Sequence, residues 1–130
     1  MTPRKVLVVD DEVHIVHVVA IKLRNNGYEP KTAGNGQEAY DLACRENPDI
    51  IIADYMMPVM TGLELLEKLR ENEATRNIPF VLLTARNFAI DDVNQQRLNV
   101  SQCITKPFSP KELLRNIEDI LYQKELVNQT

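Results

Sequence analysis

Three acidic residues in a row, Asp10-Asp11-Glu12, follow a short apolar run, and a lone acid, Asp54, follows another. Thr84 ends a third such run, and Lys106 follows the more mixed stretch Ser101–Thr105. One chemistry suits this set. Clustered carboxylates repel each other unless a cation or proton intervenes. Hard oxygen ligands with solvent access suit Mg²⁺, which takes one or two carboxylates and keeps several waters. A divalent ion there invites phosphate oxygens. Lys106 can neutralise one phosphoryl oxygen, and the Thr84 hydroxyl can donate to another. Asp54 is then free to be a nucleophile, because a carboxylate can form an aspartyl phosphate. In such transfer the protein's work is positioning and charge stabilisation.

Taken singly, each residue has a plainer role. Asp10-Asp11-Glu12 suits a helix start, where carboxylates meet free N–H groups and the positive end of the dipole. Asp54 reads as a loop acid, Thr84 as a cap and Lys106 as a solvated charge. The joint reading depends on elements that bring them together, and the sequence supplies those elements. Lys5 to Val9 is short, β-branched and continuously apolar, as a strand buried on both faces should be. A helix from about Glu12 to Asn26 follows, with Ile15, Val19 and Leu23 at four-residue spacing and Asn25-Asn26-Gly27 as its stop. Tyr28–Ala33 reads as a second strand. Asn35 caps a second helix with Glu38 three residues on, and Ala39, Leu42 and Ala43 mark its inner face. Asp49–Ala53 is a third strand, stopping at Asp54. A loop from Tyr55 to Gly62 leads to a helix carrying Leu63, Leu66 and Leu69. Ile78–Leu83 is a fourth strand, Asn87–Asn99 a weakly amphipathic helix and Ser101–Thr105 a fifth strand. The last helix starts at Ser109, with Pro110 at its first position and Glu112 completing the box. Leu113, Leu114, Ile117, Ile120 and Leu121 form its stripe.

Five strand–helix units imply an α/β fold, a five-stranded parallel sheet with helices on both faces. Ligands of such sheets bind beyond the carboxyl ends of the strands, where strand order reverses. Asp10, Asp11, Asp54, Thr84 and Lys106 all stand at those ends.

Composition narrows the field. The chain has 130 residues, 15 Lys and Arg against 19 Asp and Glu, and a net charge of -4. One domain is expected at this length, residues 1–124, with 125–130 as a short C-terminal tail. An acidic chain is a poor candidate for direct nucleic-acid binding. No apolar run approaches the roughly 20 residues that span a bilayer, so no membrane role is expected. The start Met1-Thr2-Pro3-Arg4-Lys5 is no secretory signal, and the expected compartment is the cytoplasm. Cys44 and Cys103 have no metal spacing and read as reduced, buried or semi-buried thiols. His14 and His17 lack a third ligand and read as a solvated helix surface.

The sequence resembles a response-regulator receiver domain of two-component signalling, the class that includes stand-alone chemotaxis receivers. The resemblance runs from about Lys5 to Gln123. It is carried by Val6 to Glu12, by Asp54 with Met57-Pro58 and Gly62, by Leu83-Thr84-Ala85 and by Lys106-Pro107-Phe108, in family order and spacing. It implies a flavodoxin-like (βα)5 fold with strand order 2-1-3-4-5, an order that comes from the resemblance and not from the residues. Asp54 would be the phosphoacceptor. Asp10, Asp11, Asp54 and the Met56 backbone carbonyl would hold Mg²⁺. Thr84 would bind a phosphoryl oxygen and move as the switch, and Lys106 would contact the phosphoryl group. The Lys106–Pro107 bond would be cis. The donor would be a histidine kinase or histidine phosphotransfer protein. The output face, built by the fourth helix, fifth strand and last helix with Ile90, Val93 and Cys103, would bind a downstream protein; homodimerisation through it is open. Such a protein is a signalling phosphoprotein that catalyses only its own phosphorylation and dephosphorylation.

The sequence departs from the family pattern in three places. Cys103 occupies the position, three before the lysine, where receivers usually carry an aromatic switch residue. Asn99-Val100 replaces the usual Gly-Ala, and Asn99 can adopt a left-handed turn at modest cost. Met56 and Arg86 border the phosphorylation site, and neither is an acid or amide that would orient a water. They suggest a long-lived aspartyl phosphate. The competing classes fit less well. A phosphorylation-independent interaction module has no use for the complete acid, hydroxyl and lysine set, although Cys103 leaves that alternative open. An aspartate-nucleophile phosphatase needs Asp-x-Asp after the first strand and usually a cap insertion, both lacking here. A flavin carrier needs a phosphate cradle rich in Gly, Ser and Thr after the first strand. No DNA-binding segment follows residue 124, so any output is expected to pass through a partner or a further domain.

Overall fold

The computed structural model describes residues 3–85 and 96–128. Five strands form one parallel sheet: β1 (Lys5–Val9), β2 (Glu29–Ala33), β3 (Ile50–Asp54), β4 (Phe80–Thr84) and β5 (Gln102–Thr105). Their order is 2-1-3-4-5, as the resemblance implies, so the direction of winding reverses beside β1 and β3. The described helices are α1 (Val13–Asn25), α2 (Gly36–Glu46), α3 (Gly62–Glu71) and a C-terminal helix, α4 (Pro110–Asn128). Most of the helix expected over 87–99 lies outside the described residues, as do Arg86, Ile90 and Val93; residues 96–98 are helical.

The sheet sorts its side chains by the two-residue period of a strand. Leu7, Val9, Ile51, Ala53, Phe80 and Leu82 join Ala39, Ala43, Leu65, Leu66 and Leu69 in one core layer under α2 and α3. Val6, Val8, Ile50, Ile52, Val81 and Leu83 join Val19, Leu23, Leu113, Ile117 and Leu121 in the other, under α1 and α4. β3 and β4 are buried along their whole length, which explains their unbroken apolar sequences.

Boundaries shift by a residue or two from expectation. β3 and β4 run to Asp54 and Thr84, because the ladder continues: Asp54 is level with Leu83 and Thr84 with Thr105. β4 begins at Phe80, since Pro79 offers no N–H to the ladder. Cys44 is exposed, a correction to the buried or semi-buried thiol expected there; it stands one residue past the buried Ala43, on the outer side of α2. Cys103 is half-buried, and burial pushes its thiol up. His14 and His17 are exposed on α1.

Candidate functional site

The strand period explains which groups meet at the carboxyl edge. Val9 is level with Ala53, so Asp10 and Asp54 stand side by side one step further on. Val8, Ile52 and Ile104 all face the α1/α4 layer. Two residues later on each strand come Asp10, Asp54 and Lys106, which therefore turn to the same side.

The contacts follow from that placement. The Lys106 Nζ lies 2.9 Å from Asp10 Oδ2, 3.4 Å from Asp54 Oδ1 and 3.4 Å from Glu12 Oε1. Asp10 Oδ1 also accepts the Glu12 N–H at 3.0 Å. Asp10 and Asp54 are buried, at 1% and 6% exposure, while Asp11 is exposed. Oxygen atoms of Asp10, Asp11 and Asp54 all lie within 4.8 Å of one another. Two buried carboxylates and one exposed one, all hard oxygen donors open on one side to water, fit the requirements of Mg²⁺.

The electrostatics are those of an excess of negative charge. Burial pushes the Asp54 carboxyl up to about 6, and the charge of Asp10 adds to the rise against the pull of Lys106. Burial alone would lower Lys106, but its hydrogen bond to Asp10 and the surrounding carboxylates outweigh it and hold the ammonium above the usual lysine range. Lys106 is thus charged at neutral pH, and one cation serves several anions.

Backbone geometry holds these groups at the edge. Lys106 N–H donates to the Thr84 carbonyl at 2.7 Å, and Tyr55 N–H to the Leu83 carbonyl at 2.8 Å. The Lys106–Pro107 peptide is cis, as the resemblance implies. Thr84 is 3% exposed, on the strand parity opposite to Lys106. Gly62, the first residue of α3, presses on the Asp54 peptide: a Cβ there would lie 2.5 Å from the Asp54 carbonyl oxygen. Only glycine allows that approach. Gly36 does the same for Met60, whose Cβ would lie 2.7 Å from an added Cβ. The loop after β3 is thereby seated on α2.

The expected residues Asp10, Asp11, Asp54 and Lys106 come together; Thr84 ends the neighbouring strand, and Met56, more than half exposed, lies two residues past Asp54. Cys103 packs against the α2/α3 layer. Two features escaped the sequence reading. Glu12 reads as a helix-start acid, yet its side chain makes no cap hydrogen bond and reaches Lys106 instead. Thr61 and Glu64 form a full capping box that starts α3, with bonds of 3.1 and 3.0 Å. The pattern Thr-x-x-Glu before an apolar stripe was its visible signal.

Comparison with known proteins agrees with this geometry. A family model for the response regulator receiver domain matches residues 6–118. The phosphate regulon transcriptional regulatory protein PhoB of Pseudomonas aeruginosa is 36% identical over 121 residues, which cover 93% of this chain and 53% of that protein. The alkaline phosphatase synthesis transcriptional regulatory protein PhoP of Bacillus subtilis is 37% identical over 123 residues, 95% of this chain and 50% of that protein. The chain spans about half the length of these curated relatives. The solved structure of the chemotaxis response regulator CheY4 of Vibrio cholerae matches 92% of this chain and 99% of its own, with a TM-score of 0.83 and 34% identity. No helix among the described residues is long and apolar enough to cross a membrane.

Proposed function

The chain belongs to the response regulator receiver family of two-component signalling, and from that premise we propose that Asp54 accepts a phosphoryl group from a phosphohistidine donor. The observation that carries the reading is the meeting of Asp10, Asp54 and Lys106 within 3.4 Å at the carboxyl edge. An Asp54 carboxylate oxygen attacks phosphorus, the bond from phosphorus to the imidazole nitrogen breaks, and the imidazole leaves with that electron pair. The product on this chain is an acyl phosphate of Asp54. Lys106 pairs with a phosphoryl oxygen, and the Thr84 hydroxyl donates to another. Asp10, Asp11, Asp54 and the Met56 carbonyl would hold Mg²⁺, which when bound offsets negative charge on carboxylate and phosphoryl oxygens. Asp54 is a competent nucleophile at neutral pH because a carboxyl group titrating near 6 is mostly ionised there.

The donor is a histidine kinase or a histidine phosphotransfer protein, the compartment is the cytoplasm, and the output is a change in the face around β5 that binds a downstream protein. Cys103 supports a weaker version of that change than an aromatic residue would, since a thiol lacks a ring's bulk and its two alternative packings. Met56, two residues past Asp54 and more than half exposed, is neither an acid nor an amide that would orient a water, which favours a slow loss of the phosphoryl group.

Acetyl phosphate with Mg²⁺ tests the reading. Intact mass spectrometry should record the addition of one phosphoryl group, lost on chelation of the metal and absent in Asp54→Asn. Normal labelling of that variant would overturn the assignment of the site.

A further inference from the structure

Glu12 has two properties that its place in the chain does not require. It is the N-cap of α1, with extended backbone angles, yet its carboxylate accepts no N–H of the first helical turn. Asparagine, aspartate and serine are the residues that cap best at that position, and the longer glutamate is free to reach elsewhere. Instead the Glu12 carboxylate lies 3.4 Å from Lys106 Nζ, across 94 residues of sequence. Its side chain is half exposed, whereas Asp10 is fully buried and Asp54 nearly so. Lys106 therefore touches two interior carboxylates and one at the surface.

The three contacts differ in what becomes of them when Asp54 carries a phosphoryl group. Asp10 and Asp54 belong to the set that fits a divalent cation. Glu12 lies outside that set, so nothing in the site competes with Lys106 for its carboxylate. We propose that Glu12 is a positioning residue that holds the Lys106 ammonium on the α1 side and releases it when Lys106 engages the phosphoryl group on Asp54. The proposal rests on the phosphoacceptor reading above. It adds an element to that reading, a surface carboxylate whose contact with Lys106 must break in each cycle of phosphorylation.

The size of the effect follows from the exposure of the pair. A half-exposed ion pair contributes on the order of 0.2–1 kcal/mol, which is roughly a 1.4- to fivefold change in rate. Breaking the contact opposes phosphorylation by that factor. Removing Glu12's carboxylate should speed labelling of Asp54 to the same extent.

A change in net charge would also alter attraction for an anionic donor, so the experiment separates contact from charge. Initial rates of Mg²⁺-dependent labelling by acetyl phosphate are measured for the wild type, Glu12→Gln and Glu12→Asp. Glutamine removes the charge. Aspartate keeps it but is one methylene shorter, and at an N-cap it turns to the helix N–H groups. Both variants should be faster than the wild type by roughly 1.4- to fivefold. Glu12→Asp at the wild-type rate would make the effect one of charge alone and overturn the proposal, as would Glu12→Gln no faster than the wild type. A second readout needs neither metal nor donor. Urea unfolding of the metal-free wild type, Glu12→Gln, Lys106→Met and the double variant should show a favourable Glu12–Lys106 coupling, and additivity would count against the contact. A wild type that is not labelled at residue 54 would defeat the phosphoacceptor reading itself, whereas labelled variants with unchanged rates would defeat only the role of Glu12.

Discussion

The two edges of the sheet treat charge in opposite ways. At the amino edge Arg70, near the end of α3, gives its guanidinium to four backbone carbonyls: Leu98 at 2.7 Å, Ile78 at 2.8 Å, Arg76 at 2.9 Å and Asn99 at 3.1 Å. Those carbonyls come from the segments that lead into β4 and β5. One cation there meets four neutral acceptors, and no carboxylate is needed. At the carboxyl edge one cation meets Asp10, Asp54 and Glu12, and the acids remain in excess. Backbone conformation divides in the same way. The left-handed residues of the amino edge are Gly27, Asn47 and Asn99, types that tolerate a positive φ. The left-handed residue of the carboxyl-edge loop is Val59, at φ 73. The amino edge is satisfied, and the carboxyl edge holds unrelieved repulsion and strain beside the reactive groups. Such features persist where the surroundings over-determine them, and they are common at functional sites.

The contrast predicts opposite signs for mutations at the two edges. The largest effect is expected at the amino edge. Arg70→Met keeps much of the stem and removes all five donors. Carbonyls of both segments lose charge-assisted partners at once, and the half-buried ones regain water only in part. The loss should be about 3 kcal/mol, read as a lower urea midpoint with unchanged slope, and roughly 10 °C in Tm. A loss under about 1 kcal/mol would mean that water replaces the guanidinium, and the amino edge would not be the anchored one.

At the carboxyl edge, removing a charge should stabilise. The Asp54 carboxyl titrates near 6 in the folded chain against 3.8 for the unperturbed group. The folded state therefore holds this proton more tightly than the unfolded state. Asp54's contribution falls as pH rises through about 4 to 6, and the deficit is complete above the folded value. The shift, which already includes the pull of Lys106, corresponds to a gain on substitution of about 3 kcal/mol at most. Metal-free Asp54→Asn should be more stable than the wild type at pH 7, and the gap should close by pH 4. Unfolding of both proteins across that range is the measurement. Excess Mg²⁺ should narrow the gap at pH 7 by binding the native wild type. A pH-independent difference would remove the electrostatic half of the contrast.

Much of this asymmetry was legible in the sequence, and the illegible part has physical causes. Buried parallel strands write themselves as unbroken apolar runs, as β1, β3 and β4 do, while the edge strands β2 and β5 are mixed in sequence and only partly buried and show less plainly. Strand order was not legible from Lys5–Val9 or Ile50–Asp54 alone, because a fully apolar strand does not record which strands flank it. The order rested on resemblance to the receiver family, and the structure has it. Glu12 was misread because a helix-start acid and a lysine partner have the same local pattern; only the fold brings residue 106 beside residue 12. Arg70 drew no notice for a related reason. It sits among helix-surface charges, and its partners are backbone carbonyls, which leave no trace in residue types. Val59 shows the limit most directly, since a valine in a loop carries no sign of a positive φ.

Val59 also gives the smallest effect and the sharpest comparison between the edges. A β-branched residue in the left-handed region carries a cost of about 1–2 kcal/mol. Its side chain is 83% exposed, so almost no packing is lost on truncation. Glycine removes the steric cost but adds roughly 0.5–1 kcal/mol of chain entropy to the unfolded state. Val59→Gly should therefore raise stability by about 0.5 kcal/mol. The matched control is Asn99→Gly at the amino edge, at φ 54. Asparagine already tolerates that region, so the entropy term dominates and the control should be neutral or slightly destabilised. Neither substitution disturbs the Arg70 contacts, which use the Asn99 carbonyl and not its side chain. The two variants are compared by urea midpoint under identical conditions. A Val59→Gly midpoint at or below that of Asn99→Gly would show the valine conformation to be unstrained. The loop after β3 would then be held by Gly36, Gly62 and the Thr61–Glu64 box without stored strain, and only the carboxylates would set the carboxyl edge apart.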